Sequence, residues 1–182
     1  SMTPDELGRT VAFIDKEKCI NCGLCKKVCP VNSEIKGNYP HECYAAWSNN
    51  EKFQKSCASG GISTGFAEAV LENLGVVYGT VFDGTDLVFD KAESLADVEK
   101  FKGSKYVQAN AGLIYKDVKA SLNDSKEVMF CGTPCQVAGL KSYLGKEHNN
   151  LLTVDLICHG TPPITYLKEH IKSIMDSNVS NV

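Results

Sequence analysis

The sequence lacks an excess of basic residues, since its 182 residues include 19 Lys and Arg against 22 Asp and Glu. Nucleic-acid binding requires clustered positive charge, so a net charge of -3 argues against nucleic acid as a partner. The sequence also lacks an apolar run of the ~20 residues that a membrane-spanning helix needs. A basic-then-apolar leader is missing as well. We therefore expect a cytoplasmic protein without a transmembrane segment.

The composition is otherwise ordinary, with 43% hydrophobic and 23% charged residues. These fractions are typical of globular proteins and exclude a disordered, collagen-like or coiled-coil chain. The length indicates one main domain with room for a small additional module.

Cysteine, in contrast, is abundant, with nine residues. Four of them, Cys19, Cys22, Cys25 and Cys29, form a C-x2-C-x2-C-x3-C-P run that ends at Pro30. Without a secretion signal, clustered cysteines indicate metal or redox chemistry rather than disulfides. Zinc sites usually have two C-x2-C pairs separated by a longer loop. The run instead has the spacing of bacterial ferredoxins, and it predicts a 4Fe-4S cluster.

The sequence leaves the fourth ligand of the cluster open. In two-cluster ferredoxins the fourth cysteine of each run ligates the other cluster, and this chain has one run. Either Cys29 completes its own cluster, or a remote cysteine, Cys43 or Cys57, does so. We prefer Cys57, because it directly precedes a glycine-rich turn.

Strand and helix patterns alternate after a loop-like stretch over residues 30–56. Helical spacing of apolar residues begins near Ile62, Leu95 and Leu113, and follows Pro134 and Pro162. The predicted strands are Val11–Ile14, Val76–Phe82, Asp86–Asp90, Tyr106–Gln108, Val128–Cys131 and Leu151–Cys158.

This order predicts an α/β fold, α+β overall, with a mostly parallel or mixed sheet. We expect a small ferredoxin-like module over residues 1–40, with a frayed stretch at residues 1–10, and an α/β domain over residues 41–182. Residues 178–182 resemble the start of another strand, so we expect the α/β domain to be incomplete at its C-terminal end. The apolar strands at Val128 and Leu151 are expected to be covered on both faces.

Three loops of the α/β part are candidates for a cofactor site. The Ser59-Gly60-Gly61 segment opens a helix, where backbone N–H groups can bind an anion, although it is also a common turn. The loops that contain Thr133 and His159 follow apolar strands, and ligands of open α/β sheets bind at such strand ends. The Lys102–Tyr106 segment offers two cations and a ring, or is an ordinary solvated loop.

Two residues are candidates for chemistry by a side chain. His159 is the best acid–base candidate of the four histidines, because it lies at a strand end beside Gly160. Cys135 is predicted at a helix N-terminus, which would lower the pKa of its thiol. It forms a C-x3-C pair with Cys131, which makes a redox dithiol an alternative.

Five segments together carry a resemblance to a known family. They are the cysteine run, Lys55–Gly61, Phe101–Gln108, Gly132–Leu140 and Cys158–Pro162. The chain resembles the coenzyme F-420 hydrogenase/dehydrogenase beta-subunit family from about residue 14 to its end. It departs from that family in having a single cysteine run and in stopping soon after the last of these segments, as a truncated member would.

The resemblance implies an iron–sulfur oxidoreductase with a ferredoxin-like module beside an α/β flavin domain. FAD would accept a hydride from a donor such as reduced F-420, and the cluster would pass single electrons to a redox partner protein or ferredoxin. The alternative is a flavin-free electron-carrier module that docks to a partner oxidoreductase. The flavin-site candidates that the resemblance implies are Ser59, Gly60, Gly61, Ser104, Lys105, Tyr106, Thr133 and Cys135.

Overall fold

The structure, a computed structural model, describes residues 2–32 and 39–176. The strand expected at residues 178–182 lies outside the described residues. Short 3-10 turns occupy Ser59–Gly61 and Glu99–Phe101. In chain order the helices and strands are β1 (Met2–Pro4), β2 (Thr10–Ala12), α1 (Leu24–Lys27), α2 (Glu51–Ser56), α3 (Ile62–Glu72), β3 (Val76–Asp83), β4 (Asp86–Ala92), α4 (Leu95–Val98), α5 (Ile114–Asn123), β5 (Val128–Gly132), α6 (Pro134–Leu144), β6 (Leu151–Asp155) and α7 (Ile164–Asp176).

Four strands form a mixed sheet in the order β4-β3-β5-β6. β3 and β4 pair antiparallel as a hairpin, whose turn contains Gly84 at a φ of 58°. β3, β5 and β6 run parallel, with Val76 opposite Val128 and Val128 opposite Leu151. The predicted α/β class and mixed sheet are confirmed.

Side chains alternate between the two faces of the sheet, as the pleat of a strand requires. Tyr78 and Phe130 point into a core formed with α5 and α6. Val77 and Met129, their neighbours along β3 and β5, point into a second core with α3 and α4. The sheet is therefore a central layer with helices on both faces.

The first residues do not fray as expected, because β1 and β2 pair antiparallel. The Asp5 carboxylate accepts hydrogen bonds from the backbone N–H groups of Leu7 and Arg9, at 3.0 and 2.8 Å. These bonds close the turn between the two strands. Thr165 of α7 occupies the space beside Gly8, so this hairpin lies against the start of α7.

Two further predictions of local structure are wrong. The expected loop over residues 30–56 contains α2, which is capped by Asn50 and buries Phe53. Tyr106–Gln108 is not a strand. Instead, Gln108 links distant segments: its N–H donates to the Pro162 carbonyl, and its side-chain oxygen accepts from the Thr10 N–H at 3.1 Å.

The last strand is shorter and more exposed than its apolar sequence predicts. β6 ends at Asp155, not at Cys158, and no described strand pairs with its outer edge. Leu152 is 44% exposed, whereas Val128, Met129 and Phe130 of β5 are buried. Coverage on both faces is thus confirmed for β5 and is partial for β6, where Leu151 packs against one core and Val154 against the other.

Candidate functional site

The cysteine run begins after β2 and continues into the single-turn helix α1. Cys19, Cys22 and Cys25 are exposed, and Cys29 is half-buried. Gly23 opens the helix at a φ of 72° with open space beside it, as expected for a tight turn between thiols. The segment thus presents thiols that form no disulfide, at short intervals along the chain.

The chemistry of these donors fits an iron–sulfur cluster, because Fe–S clusters are held by Cys thiolates. Within residues 2–32 and 39–176, no three His, Cys, Asp or Glu side chains are gathered as a metal site requires. The fit therefore depends on the identity, spacing and exposure of the thiols.

The two remote candidates for the fourth ligand differ in their surroundings. Cys43 is exposed. Cys57 is half-buried at the end of α2, where its sulfur accepts a hydrogen bond from Thr64 Oγ1 at 3.3 Å. The pKa of Lys102 is raised, mainly by its hydrogen bond to the Glu99 carboxylate. The nearby Cys57 sulfur makes a smaller contribution in the same direction. The assignment of Cys57 as a ligand stays a prediction.

The glycines of the Ser59–Gly61 turn are required by packing within the chain. Gly60 and Gly61 have φ values of 65° and 76°. A Cβ on Gly61 would lie 2.8 Å from the backbone carbonyl of Phe53, and one on Gly60 would lie 2.9 Å from Trp47 Cβ. The close approach that the glycines allow is thus to α2 and to Trp47. A phosphate bound at the N-terminus of α3 could not occupy the space beside these glycines, because Trp47 and Phe53 fill it.

Replacing Gly61 by alanine is expected to lower the free energy of unfolding by about 2–4 kcal/mol, from left-handed backbone strain plus the steric conflict with Phe53. Gly145→Ala is the matched control, because Gly145 has a φ of 70° with nothing near its Cβ position. It should cost only about 1 kcal/mol. Equal losses in urea unfolding would mean that the contact with Phe53 does not matter.

The carboxyl ends of the parallel strands bring several predicted residues together. Cys131, near the end of β5, has its sulfur 3.9 Å from Ser63 Oγ in the first turn of α3. Burial raises the pKa of the Cys131 thiol, and the nearby Asp155 carboxylate acts in the same direction. Cys131 is therefore held as a neutral thiol, which is the opposite of an activated nucleophile.

The start of α6 is fixed by its own side chains. The Thr133 N–H donates to Gln136 Oε1 at 2.9 Å, and Thr133 Oγ1 lies 3.2 Å from the Cys135 sulfur. Tyr115 donates a hydrogen bond to the Gln136 carbonyl at 2.9 Å, and burial raises the pKa of this phenol to about 12. Cys135 itself is exposed at the helix N-terminus. A ligand at this edge can therefore contact the Cys135 side chain, whereas the backbone of Thr133 and Gln136 is already held by hydrogen bonds.

Lys105 has a structural role that the sequence did not reveal. Its ammonium donates to three backbone carbonyls, those of Phe101, Lys102 and Gly103, at 2.8, 2.9 and 3.1 Å. Burial lowers the pKa of Lys105, while its proximity to Cys131 acts in the opposite direction. Because an ammonium has three donors, this cation is fully engaged. An anionic group would have to displace one of these carbonyls.

Replacing Lys105 by methionine should speed amide hydrogen exchange over residues 103–106 and lower the free energy of unfolding by about 1–2 kcal/mol, since charged hydrogen bonds are lost. Lys116→Met removes an exposed lysine from α5 and serves as the control, with no change expected in that loop. Unchanged exchange in the Lys105 variant would contradict the positioning role.

The remaining candidates are exposed. Ser104 and Tyr106 lie on either side of Lys105 in the loop that its ammonium holds, and the Tyr106 side chain is 79% exposed. His159 lies in the exposed loop after β6, beside Cys158, whose sulfur accepts the Gly160 N–H at 3.3 Å. His159 has no described side-chain partner that would orient it for acid–base chemistry, so that role stays a prediction.

Sequence analysis missed Ser63, Asp155 and Tyr115 as residues of this edge, and it placed Gln136 in the loop without a role. The capping role of Gln136 could have been found, because Thr133-x-x-Gln136 has the spacing of a capping box. A groove of about 500 Å³ lies elsewhere, between β4 and α5, near Tyr78 and Ser121. It contains none of the predicted site residues.

Two segments of the chain match known families. Residues 12–33 match the family described as 4Fe-4S binding domain, so the chain carries an iron–sulfur segment. Residues 125–182 match the family described as the C terminus of the coenzyme F420 hydrogenase/dehydrogenase beta subunit. The resemblance to that family of beta subunits is therefore confirmed.

A chain of the F420-reducing [NiFe] hydrogenase complex from Methanosarcina barkeri, in a structure determined for xenon derivatization, has a similar fold. The TM-score is 0.52 at 19% sequence identity, over 69% of this chain. The match spans 47% of that chain, so this sequence corresponds to about half of it. The comparison with curated proteins gives no match.

Among the described residues, no helix is long and apolar enough to cross a membrane.

Proposed function

We propose that the chain is an electron-transfer subunit of an F-420 hydrogenase/dehydrogenase type oxidoreductase. Its 4Fe-4S cluster exchanges single electrons with a redox partner. Its α/β domain binds FAD at the carboxyl ends of the parallel strands and takes electrons from a hydride donor such as reduced F-420. The observation that carries the proposal is the 4Fe-4S match over residues 12–33 in the same chain as the beta-subunit match.

The match over residues 12–33 includes all four cysteines of the run and neither Cys43 nor Cys57. This favours Cys29 as the fourth ligand, together with Cys19, Cys22 and Cys25. Cys57 then keeps its hydrogen bond from Thr64. The apolar side chains of Ile20, Leu24 and Val28 lie between these cysteines in sequence and would limit the access of water to the cluster, which helps to set its potential.

Bound FAD would supply the conversion between a two-electron hydride donor and one-electron carriers. The chain would contribute placement rather than a nucleophile. The exposed Tyr106 ring offers a stacking surface. At the N-terminus of α6 the Thr133 and Gln136 N–H groups are engaged in the capping box and Pro134 has no N–H, so this turn would contribute the Cys135 N–H and the exposed Cys135 side chain. Lys105 contributes by holding the loop that carries Ser104 and Tyr106.

The flavin-free carrier module is the second candidate function, and two observations favour it. The Lys105 ammonium is already bound by three carbonyls. The space beside Gly60 and Gly61 is filled by Trp47 and Phe53. Two of the expected phosphate-binding groups are thus committed to the chain itself.

Anaerobic purification and cluster reconstitution, followed by a visible spectrum and iron and sulfide analysis, tests both candidates. About four irons per chain with a broad shoulder near ~400 nm is expected for one cluster. Added FAD should bind and show flavin bands after gel filtration if the first proposal holds. Cluster without flavin would support the carrier module, and loss of both would overturn electron transfer as the function.

A further inference from the structure

The exposed surface of the cysteine segment has a charge opposite to that of the whole chain. Residues 10–32 contain four lysines, Lys16, Lys18, Lys26 and Lys27, against two carboxylates, while the chain as a whole has a net charge of -3. We propose that these lysines form a docking surface for an acidic one-electron carrier protein. This inference rests on the proposed cluster and names the chemistry of its partner.

The lysines are free to meet a partner. All four are exposed, and they flank the first three cysteines on both sides along the chain. Lys18 pairs with Asp15 at 3.4 Å, with the lysine side chain still 86% exposed. Among the described residues, Lys16, Lys26 and Lys27 have no carboxylate within ion-pair distance. Within residues 2–32 and 39–176, at least three cations of the cysteine segment thus have no acidic partner.

Exposed apolar side chains share the segment with these cations: Ile20 and Leu24 lie between Lys18 and Lys26 in sequence, and Val31 follows Lys27. Ile20 is 84% exposed, Leu24 61% and Val31 89%. Helix α1, which carries Leu24, Lys26 and Lys27, buries none of its residues against the rest of the molecule. An exposed apolar centre with a polar, charged rim is the usual arrangement of a protein–protein interface. The apolar residues favour a protein partner over a small anion.

Charge complementarity selects an acidic partner. Opposite charges around a contact raise the rate of encounter and suppress wrong partners, and the effect weakens as salt is added. A cluster held by four thiolates has its negative charge near the sulfurs, whereas lysine ammonium groups stand at the ends of long side chains. An approaching partner protein therefore contacts the lysine ammonium groups before it contacts the sulfurs, and negative charge on the partner favours this contact.

The test uses the full chain with reconstituted cluster, after iron analysis has shown about four irons. Fluorescence anisotropy measures binding of a labelled, strongly acidic plant-type ferredoxin. We expect the dissociation constant to rise at least about tenfold when salt is raised from about 50 to about 300 mM, because screening shortens the range of the charges. Cytochrome c, a basic carrier, should bind weakly at both salt concentrations.

A fourfold variant, Lys16→Gln with Lys18→Gln, Lys26→Gln and Lys27→Gln, should bind the ferredoxin about tenfold more weakly at low salt and lose most of the salt dependence. The matched control changes Lys116, Lys141, Lys146 and Lys172 to Gln, which alters the net charge equally in exposed lysines of the α/β domain. It should bind within about twofold of the parent. If the first variant loses its cluster, the Lys16→Gln, Lys18→Gln pair replaces it.

Several results would overturn the docking surface. They are an unmeasurable affinity of the cluster-loaded protein for the ferredoxin, equal weakening by both fourfold variants, and lysine-dependent binding to phosphatidylserine vesicles without binding to the ferredoxin. Failure to hold iron, in contrast, would refute the proposed cluster before any binding is measured, so the two failures are distinguishable.

Discussion

Replacing Cys22 by serine is expected to reduce the iron content of the reconstituted protein from about four atoms per chain to less than one. Cys22 lies in the middle of the run, with two residues between it and each neighbouring cysteine, so its loss leaves a gap that the short segment cannot bridge. A serine hydroxyl at neutral pH remains protonated and is a poor ligand for iron compared with a thiolate. The ~400 nm absorbance should fall in proportion.

The control for this prediction is Cys158→Ser. Cys158 is also exposed, but it lies in the loop after β6, outside the segment of residues 12–33 that matches the 4Fe-4S family. Iron and absorbance should stay at the parent level. Retention of the full cluster in the Cys22 variant would contradict the assignment, and loss in both variants would point to a general effect of thiol removal on folding.

The same measurement identifies the fourth ligand. We expect Cys29→Ser to lose the cluster, and Cys43→Ser and Cys57→Ser to retain it. Cys57→Ser keeps a hydroxyl beside Thr64, so the local hydrogen bonding survives the change. If instead the Cys57 variant alone loses iron, the segment around α2 must approach the cysteine run when the cluster is bound.

Much of the fold could be predicted from sequence because it depends on local patterns. The apolar stretches at Val76 and Val128 form β3 and β5, and the spacing from Ile62 onward forms α3. In each case the pattern matches the period of the element, and burial on both sides reinforces it. The Asp83-Gly84 pair, a common turn sequence, lies at the hairpin turn between β3 and β4.

The misses came from contacts between residues far apart in sequence. α2 has one buried residue, Phe53, so its short polar sequence shows little periodicity. Gln108 is held outside a strand by bonds to Thr10 and Pro162, which no local pattern encodes. Edge position exposes Leu152 although its sequence context is apolar.

The candidate site shows the same limit more sharply. Sequence analysis could place Lys105 and the glycine pair near a cofactor by their chemical type, but not decide whether those groups were already engaged. Three backbone carbonyls accept hydrogen bonds from the Lys105 ammonium, and Phe53 fills the space beside Gly61. Whether a donor group or the space beside a glycine is available to a ligand depends on the surrounding residues, and these are known only from the structure.

Replacing Phe130 by alanine is expected to lower the free energy of unfolding by about 3–5 kcal/mol, a large part of the total stability of a domain. Phe130 is fully buried at the centre of β5. Its ring stacks on Phe89 at 5.1 Å between centroids and meets the Tyr115 ring edge-on at 6.0 Å. Truncation removes both ring contacts and leaves a cavity between the sheet and α5.

Phe82→Ala provides the matched control, because it makes the same chemical change near the end of β3, where Phe82 is 47% exposed. It should cost no more than about 1 kcal/mol in urea unfolding. The effect of the Phe130 change should also reach the site, since the Phe130 ring lies 3.0 Å from the Cβ position of Gly132 at the strand end. Amide exchange at Thr133–Gln136 should therefore quicken in the Phe130 variant and not in the Phe82 variant. Equal losses of stability in the two variants would mean that the contacts of Phe130 do not form the centre of this core, and the rigidity argued for the start of α6 would lose its support.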